Sequence, residues 1–207
     1  MICWQSDTAM KELDRLLESL APIVRDEILK DFAPDCCIAT AAIRRVFRHF
    51  HFETTPIPVH VHIFNQAYLK LRTGVPFPGD PSELHELMNR TGASAVAINA
   101  ESVHSGKWPG HMLVLVKDIL VDASLDQFNR REHDITIPPF MTMPAHPSFL
   151  EFRSQLARTE NGCEIVYRRS RDKAWLSDPD WTNESRARRA VNAIIGRVDS
   201  SWRRPRT

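Results

Sequence analysis

The sequence predicts an α+β fold. Apolar residues recur at three- and four-residue steps through two N-terminal segments, which marks helices. Short segments with strand character then follow one another, joined by turns short enough for antiparallel pairing. Helices preceding a mainly antiparallel sheet make up the α+β pattern. With 207 residues and no internal repeat or flexible linker, residues 1–207 read as one domain.

The elements follow in order. Leu13, Leu16, Leu17, Leu20, Ile23, Val24 and Ile28 lie on one side of a helix over 8–30, with charges on the other. Phe32-Ala33-Pro34-Asp35 breaks it, and a second helix, CCIATAAIRRVFRHF, begins with Asp35 placed to cap its first turn. Residues 57–65 alternate His60 and His62 with Val59, Val61 and Ile63, as a strand does. After a turn-rich stretch from Gly74 to Pro81 a short helix is expected near 82–90, starting at Ser82. Three β segments come next, 93–99, 111–116 and 119–123, the last two joined by a hairpin turn at Lys117-Asp118. The proline-rich 138–147 segment reads as an ordered loop, Phe149 to Leu156 as one or two helical turns, and 164–169 as a strand. A basic amphipathic helix over 183–198, built on Ala187, Ala190, Val191, Ile194 and Ile195, ends the pattern. It and the strand before it read as a decoration, over 160–200, on a core at 30–130.

Composition narrows the function classes. At 43% hydrophobic and 26% charged residues the chain is an ordinary globular protein rather than a disordered or collagen-like one. No apolar run approaches the length of a membrane span, so no membrane partner is expected. The first residues lack the basic-then-apolar order of a signal peptide, and a cytoplasmic location is expected. The net charge of +1 argues against a dedicated nucleic-acid binder. It hides an asymmetry: residues 168–207 hold 11 Lys+Arg against 5 Asp+Glu, and the rest of the chain is net negative. Basic clusters contact phosphates, but no aromatic-interleaved strand motif accompanies this one. The four cysteines, at 3, 36, 37 and 163, include no CxxC pair to seat zinc, and an adjacent 36–37 disulfide would be strained.

The chemistry concentrates in two places. A cysteine in the first turn of a helix sits near the positive end of the helix dipole, which favours the thiolate that thiol enzymes use as nucleophile. Stepping from Cys36 along the second helix meets Ala39, Ile43 and Phe47, an apolar stripe. Stepping from Cys37 meets Thr40, Ala41, Arg44 and Arg48. Cys36 is therefore expected in the core and Cys37 at the accessible position. The hairpin over 111–123 supplies a base. A turn at Lys117-Asp118 sets Val116 opposite Ile119 and Val114 opposite Val121, which makes His111 and Asp122 diagonal neighbours on one face, about 7–8 Å apart at the backbone. An imidazole and a carboxylate can close that gap with a hydrogen bond, the carboxylate then fixing the tautomer and stabilising the imidazolium.

A cysteine opening a helix (Asp35-Cys36-Cys37-Ile38-Ala39-Thr40), then Gly110-His111, then Val121-Asp122-Ala123-Ser124 with Gln127-Phe128, resembles the transglutaminase-like branch of the papain-like cysteine enzymes. Arylamine N-acetyltransferases share the Cys-His-Asp order. The resemblance spans about 30–130. It implies a papain-like or transglutaminase-like fold, with the nucleophile at a helix N-terminus packed on the sheet. It also implies Cys37 as nucleophile, His111 as general base and acid, Asp122 as its orienter, and no cofactor. Papain-like peptidases carry a glutamine six residues before the cysteine and a tryptophan after it; here Asp31 and Ile38 stand there, which points away from that narrow type. The oxyanion donors expected are the Cys37 N–H and one further group. Trp108 is expected either to wall the site or to pack in the core.

The expected activity is acyl transfer from a small-molecule or peptide amide, or a thioester, to water or an amine. The alternative is a non-catalytic module of the same fold that contacts an acidic partner through its basic C-terminal helix. His60 and His62 form an HxH pair of the kind metal enzymes use, with His104, His133, His146 and Glu53 as conceivable third ligands, but no acid-spaced companion follows. Exposed strand histidines are the expectation there, and no metal is.

Overall fold

The computed structural model describes residues 4–31, 35–98, 108–151, 153–182 and 184–202. It is a mixed α+β structure with a seven-stranded antiparallel sheet. The strands are β1 (Thr54–Phe64), β2 (Ala95–Ile98), β3 (His111–Val116), β4 (Ile119–Asp122), β5 (Met141–Pro144), β6 (Ser154–Arg158) and β7 (Glu164–Arg169). They lie in the order β5-β4-β3-β1-β7-β6, with β2 also paired to β1. β1 is the spine of the sheet. Its first half pairs with β3, from Thr54 opposite Val116 to Val59 opposite His111. Its second half pairs with β2 and with β7.

Three helices, α1 (Trp4–Asp31), α2 (Cys36–His49) and α7 (Glu184–Trp202), share one apolar cluster with Val114, Val116 and Val121 of the sheet. The predicted leucine stripe of α1 lies in it, together with Ile43, Val46 and Phe47 of α2. The opposite sheet face carries Val59, Val61, Ile63, Leu113, Leu120 and Tyr167 under Phe128, Ile135 and Phe149. Strand parity separates the two sets, since successive side chains point to opposite faces.

The predicted hairpin is present, with Val116 opposite Ile119 and Val114 opposite Val121. Lys117 turns it in the left-handed region at φ 56°. The Asp35 cap on α2 is also present, its carboxylate accepting from the N–H groups of Cys37 and Ile38.

Several expectations need correcting. The C-terminal helix α7 is no decoration: Ala187, Val191, Ile194 and Val198 are buried against α1 and α2, and fully burying a valine or isoleucine side chain stabilises by about 1.5–3 kcal/mol. Its Arg197 pairs with Glu27 of α1 at 2.7 Å, so part of the basic end is answered within the chain. A helix α3 (Gln66–Gly74) was not anticipated, because only Leu71 of it is buried and no periodic stripe announces it. Helix α4 (Pro81–Thr91) is capped by Asp80 rather than Ser82. Pro81 at the first helical position has no N–H to leave unsatisfied, so the acceptor one residue earlier serves the next two donors. β5 lies inside the segment read as a loop; its proline, Pro144, sits at the end of an edge strand, where a missing donor costs little. β6 replaces most of the predicted second helical turn, and only Pro147–Leu150 is helical there. Among the described residues no helix is long and apolar enough to cross a membrane.

Candidate active site

Two chain positions, one at each side of the β3–β4 hairpin mouth, create the charge pair. His111 is the first residue of β3 and Asp122 the last of β4. The ladder extended by one step puts Asp122 opposite Leu113, diagonal to His111. The gap closes as expected: His111 Nε2 lies 2.7 Å from Asp122 Oδ2, and both side chains are fully buried. A carboxylate so far from water must collect donors or lose its charge. Asp122 collects three: the imidazole, the Ser124 N–H at 3.2 Å and the Tyr167 hydroxyl at 3.2 Å. The Phe128 ring closes over the imidazole edge-on, 5.2 Å between centroids.

The other imidazole nitrogen has the Gln127 side-chain amide beside it, Gln127 Nε2 lying 3.2 Å from His111 Nδ1, and the imidazole interacts with the Cys36 thiol. Cys36 Sγ donates to the carbonyl of Gly110 at 3.4 Å, which ties the thiol to the residue just before the histidine. Gly110 has to be small there, because a Cβ would overlap the Trp108 ring. Thr40 fixes α2 further along, its hydroxyl donating to the Met112 carbonyl at 3.2 Å.

The structure therefore brings His111 to Cys36, whereas the sequence pointed to Cys37. Cys37 is also not the accessible one: it is 2% exposed against 7% for Cys36. The helix-wheel reasoning failed for a physical reason. The more polar side of α2 is covered by distant chain. Trp175, from a short 3₁₀ turn at Ala174–Ser177, packs with Trp108 and Met112 against both cysteines. Trp181 stacks edge-on to Trp175 and takes the Arg44 guanidinium over its ring at 5.2 Å. Trp108 is anchored by bonds from its backbone N–H to Asp178 and from its indole N–H to Asp172, at 2.8 and 2.9 Å. It is a packed wall of the site, which unites the two roles considered for it. The expected Cys37 N–H oxyanion donor is corrected too, since Asp35 already accepts it. The Cys36 N–H, one residue nearer the helix end, stands outside that cap.

The electrostatics separate the adjacent thiols. Cys36 is lowered to about 6, first by a hydrogen bond from the Cys37 thiol, against the opposing effect of burial, and further by His111. Cys37 is pushed far up by donating to Cys36, by burial and by the Cys36 charge. Burial alone would depress His111, but the charge and hydrogen bond of Asp122, together with Cys36, raise it to about 10. These directions favour a Cys36 thiolate beside an imidazolium, with Cys37 a neutral donor, over the protonated Cys36 that donates to the Gly110 carbonyl. Tyr167 is raised well above the ordinary phenol value by burial and then by the Asp122 charge, so its hydroxyl keeps its proton.

Other singled-out residues lie elsewhere. Among the described residues, three ligand-type side chains come within 4.8 Å of one another at Asp35, Cys36 and Cys37; His60 and His62 are not in that set. His104 and Cys3 lie outside the described residues, as does the side chain of Asp31. Cys163 is buried and free. Asn65 borders a cleft of about 670 Å³ with Lys70, Asp134 and Asn161. Its amide spans Gly92, His133, Tyr68 and Ser94, a role in joining loops. Tyr167 and Asp178 went unnoticed in the sequence because each reaches the site from 45 or more residues away. Gln127 had a readable signal: five residues after Asp122, it returns toward the same hairpin mouth.

No family model, curated protein or solved structure matches this chain.

Proposed function

We propose that the chain is a cysteine-dependent acyl-transfer enzyme of papain-like or transglutaminase-like architecture, with Cys36 as nucleophile, His111 as general base and acid, and Asp122 as the positioning carboxylate. The observation that carries this reading is the fully buried His111–Asp122 pair at 2.7 Å set against a thiol at a helix N-terminus. Burying such a pair is costly, and here its imidazole interacts with the one of the two adjacent thiols that the surroundings push toward the thiolate.

The chemistry follows from the positions. The imidazolium and the helix terminus hold Cys36 as thiolate. Attack on an amide or thioester carbonyl forms a thioester with Sγ while the leaving group takes the proton from His111 Nδ1. Water or an amine then attacks the acyl-enzyme, giving its proton back to the same nitrogen. Asp122 keeps the ring oriented throughout and compensates its charge. The substrate class is a small-molecule or peptide amide or thioester.

Iodoacetamide labelling at neutral pH with peptide mapping tests the reading. Cys36 should be modified ahead of Cys37 and Cys163, and labelling should slow in His111→Ala. Equal modification of Cys36, Cys37 and Cys163, or of none of them, would rule out a thiolate poised at Cys36.

A further inference from the structure

We propose that Asp35, Cys36 and Cys37 form a binding site for a thiophilic divalent cation, Zn²⁺ above all, which takes the nucleophile as a ligand and switches the site off. The cation site is independent of the acyl-transfer reading; the switching rests on it. Among the described residues, this is the place where three ligand-type side chains bring their donor atoms within 4.8 Å of one another. A tetrahedral zinc ion binds thiolate at about 2.3 Å, so two thiolates on one ion stand about 3.8 Å apart. The Cys37 thiol already donates its proton to Cys36. The two sulfurs thus share one hydrogen, and the ion takes its place with little movement.

The third ligand is held ready. Asp35 Oδ1 accepts from the Cys37 and Ile38 N–H groups at 2.9 and 3.2 Å, which fixes the carboxylate beside both sulfurs. Ligating carboxylates are ordinarily hydrogen-bonded in this way, and a carboxylate has about four lone-pair sites on its two oxygens. Asp35 is half-buried, while Cys36 and Cys37 are 7% and 2% exposed, so the ion reaches the sulfurs past the carboxylate. Water completes the tetrahedron on that side. Two soft sulfurs and one oxygen select zinc or cadmium over magnesium and calcium, which require oxygen shells.

The charges balance as well. Two thiolates, one carboxylate and a divalent ion leave one net negative charge. The N-terminus of α2 favours such a charge, and the His111 imidazolium, which interacts with Cys36, answers it. His111 is itself no ligand: its Nε2 is bonded to Asp122 at 2.7 Å, and a protonated ring has no lone pair to give. Asp178, which interacts with Cys37 through its charge, adds negative field at the sulfur that must lose its proton. On binding, that proton passes to solvent, each sulfur gives a lone pair to the ion, and no electron is transferred. The Cys36 lone pair is then engaged and cannot attack a carbonyl; a chelator restores it.

Titration of the full, reduced chain with Cd²⁺ tests the site through thiolate-to-metal charge-transfer absorption, and competition with a chromophoric zinc indicator gives the Zn²⁺ affinity. One equivalent of Cd²⁺ should bring up a band with the intensity of two thiolates. In Cys37→Ser, which keeps the shape of the side chain, the band should fall by half or more. Zinc affinity there should drop at least about 100-fold, more than the loss of an outer-shell partner costs. Asp35→Asn keeps the helix cap and should weaken zinc by about tenfold or more. Cys3→Ser and Cys163→Ala should bind as the unaltered chain does. Zinc affinity of Cys37→Ser within about threefold of the unaltered chain overturns the proposal. So does loss of the band in Cys3→Ser or Cys163→Ala, or the absence of any saturable band. Bound zinc should also protect Cys36 from iodoacetamide, with EDTA restoring its reactivity; alkylation unchanged by zinc overturns the switch. A band without selective Cys36 alkylation in the metal-free chain keeps the cation site and removes the acyl-transfer reading, and selective alkylation without a band does the reverse.

Discussion

Two histidine-bearing stretches lie side by side in the sheet and differ in almost every physical respect. His111 opens β3 directly opposite Val59 of β1, and His60 is the very next residue of that strand. Because side chains alternate, a step of one residue moves a group to the other face. His111 falls on the face with Leu113, Leu120 and Tyr167 and is fully buried with a carboxylate. His60 and His62 fall on the face with Arg168, partly open to water. His62 is lowered by burial, by Arg168 and by His60, the opposite direction from His111. A strand histidine acquires chemistry from a buried countercharge, and neighbours of like sign take it away.

The sharpest way to break that contrast is to remove the countercharge. Asp122→Ala leaves the imidazole and the Tyr167 hydroxyl buried without their acceptor, and losing one partner of a buried ion pair typically costs about 3–5 kcal/mol. Urea denaturation should show a loss of that order. The reactive thiol should report it as well. A lowered thiol keeps its charge as pH falls until its own pKa, so iodoacetamide reactivity of Cys36 in the unaltered chain should decline only near pH 6. Without Asp122, His111 loses what raises it, the imidazolium supporting the thiolate goes, and the limb should move upward. A limb that stays in place would mean that Cys36 owes nothing to the His111–Asp122 pair.

Next in size is Gly110→Ala, at the residue that joins the wall to the base. Its added methyl must displace the Trp108 ring, which is held by Asp172 and Asp178. Overpacking of this kind costs about 1–3 kcal/mol. Thermal unfolding should drop accordingly, and Cys36 alkylation should slow, because the Gly110 carbonyl that receives the thiol moves with it. Unchanged stability would show that Trp108 is loosely held. Tyr167→Phe is milder. It deletes one donor to Asp122 and should cost about 1 kcal/mol by the usual net worth of a hydrogen bond. Denaturation of the Asp122→Ala, Tyr167→Phe and double variants should reveal coupling, since residues sharing one network are not additive.

How much of this the sequence carried depends on distance along the chain. The His111–Asp122 pair was legible because a two-residue turn fixes the register and the register fixes which side chains meet. The Asp35 cap was legible for the same reason, being a contact over two and three residues. The choice between Cys36 and Cys37 was not, since the side of α2 that looks polar in isolation is buried by Trp175 and Trp181, some 140 residues later. Helix periodicity reports the average environment of a face and says little about one end of it. The role of α7 was misread likewise. Its apolar residues were identified correctly, but nothing local told that they complete the core of α1 and α2.

The smallest expected effect tests the other half of the comparison. His60→Gln and His62→Gln remove two imidazoles a few residues from the site without touching the buried pair. Phe64 stays stacked on Tyr68, 4.8 Å between centroids, with the Arg72 guanidinium 5.9 Å over its ring, so the strand end keeps its packing when the His62 ring, 6.4 Å from Phe64, is shortened. Surface substitutions clear of special features usually stay within about 0.5 kcal/mol, and His62→Gln should do so by denaturation. Cys36 alkylation should keep both its rate at neutral pH and its limb, because the groups that set its charge are Cys37 and His111. A shifted limb in His60→Gln would mean that charge on the far face of β1 reaches the thiol, and the two sets of histidines would then form one electrostatic unit. The parity of the strand argues otherwise: the backbone of β1 and the buried side chains of Val59 and Val61 stand between them.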